Sequence, residues 1–155
     1  VGAGKTSILL ALEYALFGLQ PGQKGSALLK TNADTGEVDL EFVADEKLIR
    51  EVLVNLISNA IKYGNKGGFV HAGFYNMGDN ILIEIADNGL GIAKEQLNRV
   101  FERFFRIEKS RSRDMGGTGL GLSIVKHIIE AHNQNVNVRS TIGEGSTFGF
   151  TLQKA

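Results

Sequence analysis

Asn55, Asn59 and Lys62 recur at i, i+4 and i+7 in the segment NLISNAIKYG, so on a helix they share one strip. An asparagine carbonyl oxygen is a neutral, hard ligand suited to a Mg²⁺ ion already held by phosphates. Lys62 would bring positive charge to the same phosphates. Capping or plain surface placement is the other reading of two helical asparagines. Further along, DNGLGI puts an acceptor, Asp87, ahead of Gly89 and Gly91, where a glycine backbone lets a flat ligand approach closely. Asp-Asn-Gly is equally good chemistry for a simple turn. GGTGLGLS, residues 116–123, opens a helical pattern, and free amides with the helix dipole favour an anion there. GEGSTF, residues 143–148, closes the series.

Cationic side chains gather between these blocks. Arg99, Arg103, Arg106, Lys109, Arg111 and Arg113 face only Glu102 and Glu108 in the same stretch. Charge alone leaves two readings open: a solvated helix face with a loop, or a basic flap over a polyphosphate. The histidines His71, His127 and His132 sit in a strand, a helix and a helix end. His127 and His132 are five apart and do not share a face, which argues against a metal pair.

The pattern of apolar residues supplies the elements that must position these groups. A helix is expected from an N-cap at Asp45 to Gly64, with apolar residues at Leu48, Ile49, Val52, Leu53, Leu56, Ile57, Ala60 and Ile61. The asparagine strip lies about a third of a turn from the centre of that stripe, at the rim of the core. Strands follow at Phe69–Tyr75 and Ile81–Ala86, joined by a turn around Gly78. Helical spacing returns from Lys94 to Phe105 and again from Leu120 to His132. Strands at Val136–Ser140 and Thr147–Leu152 flank a final turn. Val38, Leu40 and Phe42 alternate with acids as a half-buried strand does, and residues 6–17 read as an apolar helix. The order implies an α/β two-layer sandwich, a mixed sheet with helices on one face, plus the N-terminal apolar helix.

Composition sets outer limits. At 155 residues the chain fits one ordinary core, and the formal net charge of +0 gives no global attraction to nucleic acid or anionic membrane. No cysteine is present, which excludes disulfides and thiolate metal sites and suits a reducing compartment. No apolar run reaches the roughly 18 residues of a membrane span.

From NLISNAIKYG onward, the ordered blocks resemble the catalytic ATP-binding domain of bacterial sensor histidine kinases, of the Bergerat or GHKL fold. They match the family's N, G1, F (FERFFR), G2 and G3 boxes in sequence, over residues 43–155. The resemblance implies ATP and Mg²⁺ as ligands. It assigns Asn59 to the metal, with Asn55 nearby, Lys62 to phosphate and Tyr63 to the adenine side. It makes Asp87 the acceptor for the adenine amino group, in a pocket shaped by Gly89, Gly91 and Ile92. Arg106, Gly117, Thr118 and Gly119 become the lid, Leu120, Gly121 and Leu122 the phosphate-facing helix start, and Thr147 a support at the adenine end. Asn55, Lys62 and Arg106 are the catalytic candidates. Hydrolytic relatives resemble this pattern but carry a Glu where Asn55 stands, and an amide cannot take a proton at neutral pH. Slow hydrolysis and phosphoryl donation are therefore implied. The acceptor in the family is a histidine on a separate dimerisation domain, which acts in trans and hands on to a response regulator. The family also implies a cytoplasmic location.

The N-terminal VGAGKTSILLALEYALFG resembles the P-loop segment of ABC- and SMC-type DNA-repair ATPases. A working P-loop needs an earlier glycine and a buried strand before Gly4-Lys5-Thr6. Residues 1–42 are thus expected to be a P-loop-like fragment of helix, loop and strand, joined near Val38–Ala44 to the kinase-like domain. The chain begins inside a motif and reads as a fragment or a chimera. The alternatives are a fragment of a repair ATPase, or a fusion that folds without catalysis.

Overall fold

A computed structural model describes residues 44–107 and 118–155, all within one unit, Val43–Ala155. The expected P-loop-like helix and the strand near Val38 lie outside the described residues, as do Gly117 and Lys109 to Arg113.

Helix α1 spans Glu46–Tyr63. It begins where expected because Asp45 accepts from the Lys47 and Leu48 amides at 2.9 and 3.1 Å, satisfying two of the orphan donors of the first turn. Ile49, Val52, Leu53, Leu56, Ile57 and Ala60 of the expected stripe are buried, whereas Leu48 at its start is exposed and Ile61 is half-buried, because both lie at the margin of the face turned to the core. Strands β1 (Val70–Met77) and β2 (Asn80–Asp87) form a hairpin through Gly78, at φ 77°. A second helix, α2, spans Gly121–Ala131, followed by β3 (Val136–Thr141) and β4 (Gly145–Gln153).

The described strands lie in the order β1-β2-β4-β3, and each of their pairings is antiparallel. Period-two alternation turns Ile81, Ile83 and Ile85 of β2 and Phe148, Phe150 and Leu152 of β4 toward the helices, where all are buried. α1 packs against β2 and against α2, whose Val125, Ile128 and Ile129 are buried with the α1 stripe. The result is a two-layer α/β sandwich.

One expected element differs. Lys94–Arg99 is a 3₁₀ helix without buried residues, and turns, not helix, carry the chain from Val100 to Phe105. Phe104 takes φ 64°, which ends regular helix, and its amide donates to the Gly119 carbonyl at 2.9 Å. This non-local bond outweighs the helical spacing. It also ties the FERFFR segment to the turn that opens α2.

The helix layer is pinned at the end opposite that turn. His132 Nδ1 bonds the Ile128 carbonyl at 2.8 Å, while its Nε2 accepts from the Asp45 amide at 3.2 Å.

Candidate functional site

A cavity of about 390 Å³ opens between α1, the β2–3₁₀ connection, the start of α2 and the β3–β4 turn. Asn59, Tyr63, Asp87, Gly91, Ile92, Arg106 and Leu122, drawn from separate sequence blocks, all line it. Its volume lies within the usual range of small-molecule sites. Apolar walls come from Val100, Phe105, Ile107 and Phe148, with Leu90 and Ile142 at an exposed rim. Phe101 packs edge-on to Phe148, ring centres 6.2 Å apart, and backs that wall.

Asp87 ends β2, and three close approaches fix its surroundings. Its Oδ1 accepts from the Gly89 amide at 2.8 Å. A Cβ at Gly89 would collide with the Tyr63 carbonyl and lie 2.8 Å from that same Oδ1, so only glycine fits between helix end and carboxylate. The Leu90 amide then bonds the Tyr63 carbonyl at 3.2 Å, and the Leu90 carbonyl accepts from Gly143 at 2.9 Å. Gly91, at φ 69°, sits where a Cβ would run into the Thr141 carbonyl. Burial lifts the Asp87 carboxyl above the usual carboxylate range, while hydrogen bonds from the Gly89 and Ser146 backbone pull it down.

At the other end of the cavity α2 begins. Leu120 gives no side-chain cap, so the first-turn amides keep their donors for an anion. Leu122 lines the cavity, and Thr118, Gly119, Leu120 and Gly121 precede it without lining it. Thr118 Oγ1 accepts from the Leu120 amide at 3.3 Å and so shapes the turn. Asn55 does not line the cavity. Its Nδ2 bonds the Glu51 carbonyl at 2.9 Å, and its Oδ1 faces Gly121. Lys62 is also off the lining, its ammonium 5.2 Å above the centre of the Tyr63 ring. Arg99, part of the basic stretch, stacks 4.5 Å over Phe105 and pairs with Glu102 at 3.2 Å, engaged locally rather than at the cavity.

Thr147 lies outside the lining, whereas its neighbours Ser146 and Phe148 belong to it. The cause is strand parity: residues one apart on β4 face opposite sides of the sheet, and Ser146 pairs with Asp87 while Thr147 pairs with Ala86. Ser146 is 7% exposed and the sequence reading passed over it. Strand alternation counted from Phe148 was the signal that could have found it. Gln96, on the 3₁₀ helix, and Ala93 line the cavity as well, with no signature in the sequence to mark them.

A family profile described as histidine kinase-, DNA gyrase B- and HSP90-like ATPase matches residues 44–155. The chain is 46% identical over 124 residues to the sensor-like histidine kinase SenX3 of Mycolicibacterium smegmatis, covering 80% of this chain and 32% of that protein. It is 43% identical over 116 residues to the sensor histidine kinase WalK of Bacillus subtilis, 74% of this chain and 19% of that one. Among solved structures, the mycobacterial sensor histidine kinase MprB superposes with a TM-score of 0.67 at 30% identity, over 73% of this chain and 76% of that chain. Full-length ShkA in complex with AMPPNP gives a TM-score of 0.63 at 32% identity, over 74% of this chain and 23% of that one. The chain thus spans about a third or less of the curated relatives' length.

Proposed function

Because the chain belongs to the histidine kinase-, DNA gyrase B- and HSP90-like ATPase family, an ATP-binding family, we propose that it binds Mg·ATP and donates the γ-phosphoryl group to a histidine. The carrying observation is that Asn59, Asp87 and Leu122, from three separate motifs, line one cavity. The donor set fits the ligand. An apolar slot suits a purine ring, Asp87 offers an acceptor to its amino group, and the uncapped start of α2 suits phosphate. A Mg²⁺ ion would be held by the Asn59 carbonyl together with the phosphates, neutralising charge on the transferred group.

The chain's own residues position and stabilise rather than form covalent bonds. Arg106 and the turn at Thr118–Gly119 belong to the lid over the phosphates, and Lys62 to their charge balance. Asn55 supplies no proton acceptor, since an amide is not a base at neutral pH. Water is therefore not activated, and the phosphoryl group is kept for a better nucleophile. The proposed acceptor is a histidine on a separate dimerisation domain acting in trans, with a response regulator downstream, in the cytoplasm. Of the chain's histidines, His132 spends both ring nitrogens on the backbone. Among the described residues no helix is long and apolar enough to cross a membrane.

We assign this work to residues 43–155 and give residues 1–42, the P-loop-like segment, no part in it. Binding of a non-hydrolysable ATP analogue with Mg²⁺, read by calorimetry for the parent, Asp87→Asn and Lys5→Ala, tests the assignment. Loss with Asp87→Asn and little change with Lys5→Ala is expected. The reverse pattern overturns it in favour of the P-loop, and no binding by the parent marks a folded but inert fusion.

A further inference from the structure

Beside Asp87, a hydroxyl from outside the recognised motifs joins three segments. Ser140 Oγ, near the end of β3, accepts from the Ile92 amide at 2.8 Å and donates to the Gly145 carbonyl at 2.7 Å. Ser146 Oγ lies 3.0 Å from the same oxygen. A serine hydroxyl carries one proton. Ser140 spends its proton on Gly145, so the proton between the two serines belongs to Ser146. Ser146 lines the cavity and pairs with Asp87 across β2 and β4.

We propose that Ser140 is a positioning residue that locks the Ser146 hydroxyl as a hydrogen-bond acceptor toward the cavity, so that this wall selects a 6-aminopurine over a 6-oxopurine nucleotide. The proposal rests on the adenine-nucleotide reading of the cavity. An ionised Asp87 accepts only, and Ser146, with its proton held by Ser140, also accepts only. An amino group brings two donors to such a wall. A 6-oxo group brings an acceptor, which would stay unpaired against it, and a buried site rejects a ligand that leaves its polar groups unpaired. Without the Ser140 oxygen, the Ser146 hydroxyl is released to turn and donate into the cavity, where it serves a carbonyl.

Equilibrium binding of Mg·ATP and Mg·ITP to the full chain tests this. Ser140→Ala should lower the ITP-to-ATP ratio of dissociation constants by roughly 3- to 10-fold, the worth of one hydrogen bond. Ser140→Thr, which keeps the hydroxyl, should retain the parent ratio. In a Ser146→Ala background, Ser140→Ala should change the ratio no further, an outcome that a merely structural role for Ser140 does not produce. An unchanged ratio in Ser140→Ala, or an equal loss for both nucleotides, overturns the proposal. Should that variant fail to fold, Ser146→Ala alone decides: its ratio must also fall, and an unchanged one overturns the proposal. A parent protein that binds neither nucleotide overturns the site reading and this inference together, whereas firm ATP binding with an unaltered ratio overturns this inference alone.

Discussion

Gly121 and Asn55 meet where the two helices approach the cavity: a Cβ on Gly121 would lie 2.7 Å from Asn55 Oδ1. Asn55 is not free to retreat, because its Nδ2 is held on the Glu51 carbonyl at 2.9 Å. The amide thus sets how closely the start of α2 can approach α1. Gly121→Ala should push the α2 start away and weaken Mg·ATP binding by roughly 10-fold, as overpacking at a tight contact does. The better helix propensity of alanine offsets part of the cost in stability, so the melting temperature should move little. Calorimetric titration beside a thermal melt separates the two effects, and parent-like affinity would rule out this coupling.

Asp87 makes a pH prediction of definite sign. Its folded-state pKa is raised, with burial outweighing the Gly89 and Ser146 hydrogen bonds. Between the unfolded and the folded pKa the folded protein therefore binds the extra proton. The stability that Asp87 contributes is greatest below the unfolded pKa, declines as pH rises through that window, and levels off above the folded pKa. Asp87→Asn lacks the decline. The variant's melting temperature should gain on the parent's as pH climbs through the window and then hold a constant offset. Nucleotide binding runs the other way, because the ionised carboxylate is the acceptor, so the parent's affinity should rise over the same window. A parent that gains stability relative to the Asn variant with rising pH contradicts the burial argument.

The far end of the helix pair gives a stability test. Asp45→Ala removes the side-chain cap of α1 and should cost about 1 kcal/mol. His132→Leu removes the acceptor for the Asp45 amide and should cost about 1 kcal/mol. The His132 bond uses the Asp45 backbone and survives the alanine substitution. The two losses should therefore add in the double variant, measured by urea unfolding. Strong non-additivity would show that cap and histidine act as one unit.

What the sequence made legible follows its local physics. α1 was readable to the residue because its cap, its apolar stripe and Gly64 are written within one segment. The hairpin strands were readable to within two residues at each end, since alternation and Gly78 mark them, though propensity leaves boundaries soft. The stretch from Val100 to Phe105 misled because its break depends on Gly119, which is remote in the chain. The sheet order and the Ser140 junction likewise exist only once β3 and β4 have paired. Thr147 and Ser146 differ by one step of strand parity, which fixes opposite faces but is not marked by either residue type. The grouping of Asn59, Asp87 and Leu122 came from motif order, whereas the backbone roles of Tyr63 and Thr141 had no signal at all.

Asn59 lines the cavity on α1, while Asn55, one turn earlier, lies outside the lining with its Nδ2 donating to the Glu51 carbonyl. Of the two asparagines, only Asn59 belongs to the cavity lining, where its side chain can offer a hard oxygen ligand. In the parent, ATP should bind more tightly with Mg²⁺ than with EDTA. Asn59→Ala should erase that increment while leaving EDTA-condition binding within about twofold of the parent, because the contacts to the base are untouched. Ser58→Ala, on the neighbouring exposed position, should keep the full increment, since Ser58 Oγ bonds the Val54 carbonyl of its own helix. Fluorescent-nucleotide displacement with and without the metal reads both quantities. An increment that persists in Asn59→Ala would assign the ion to ligands other than this helix.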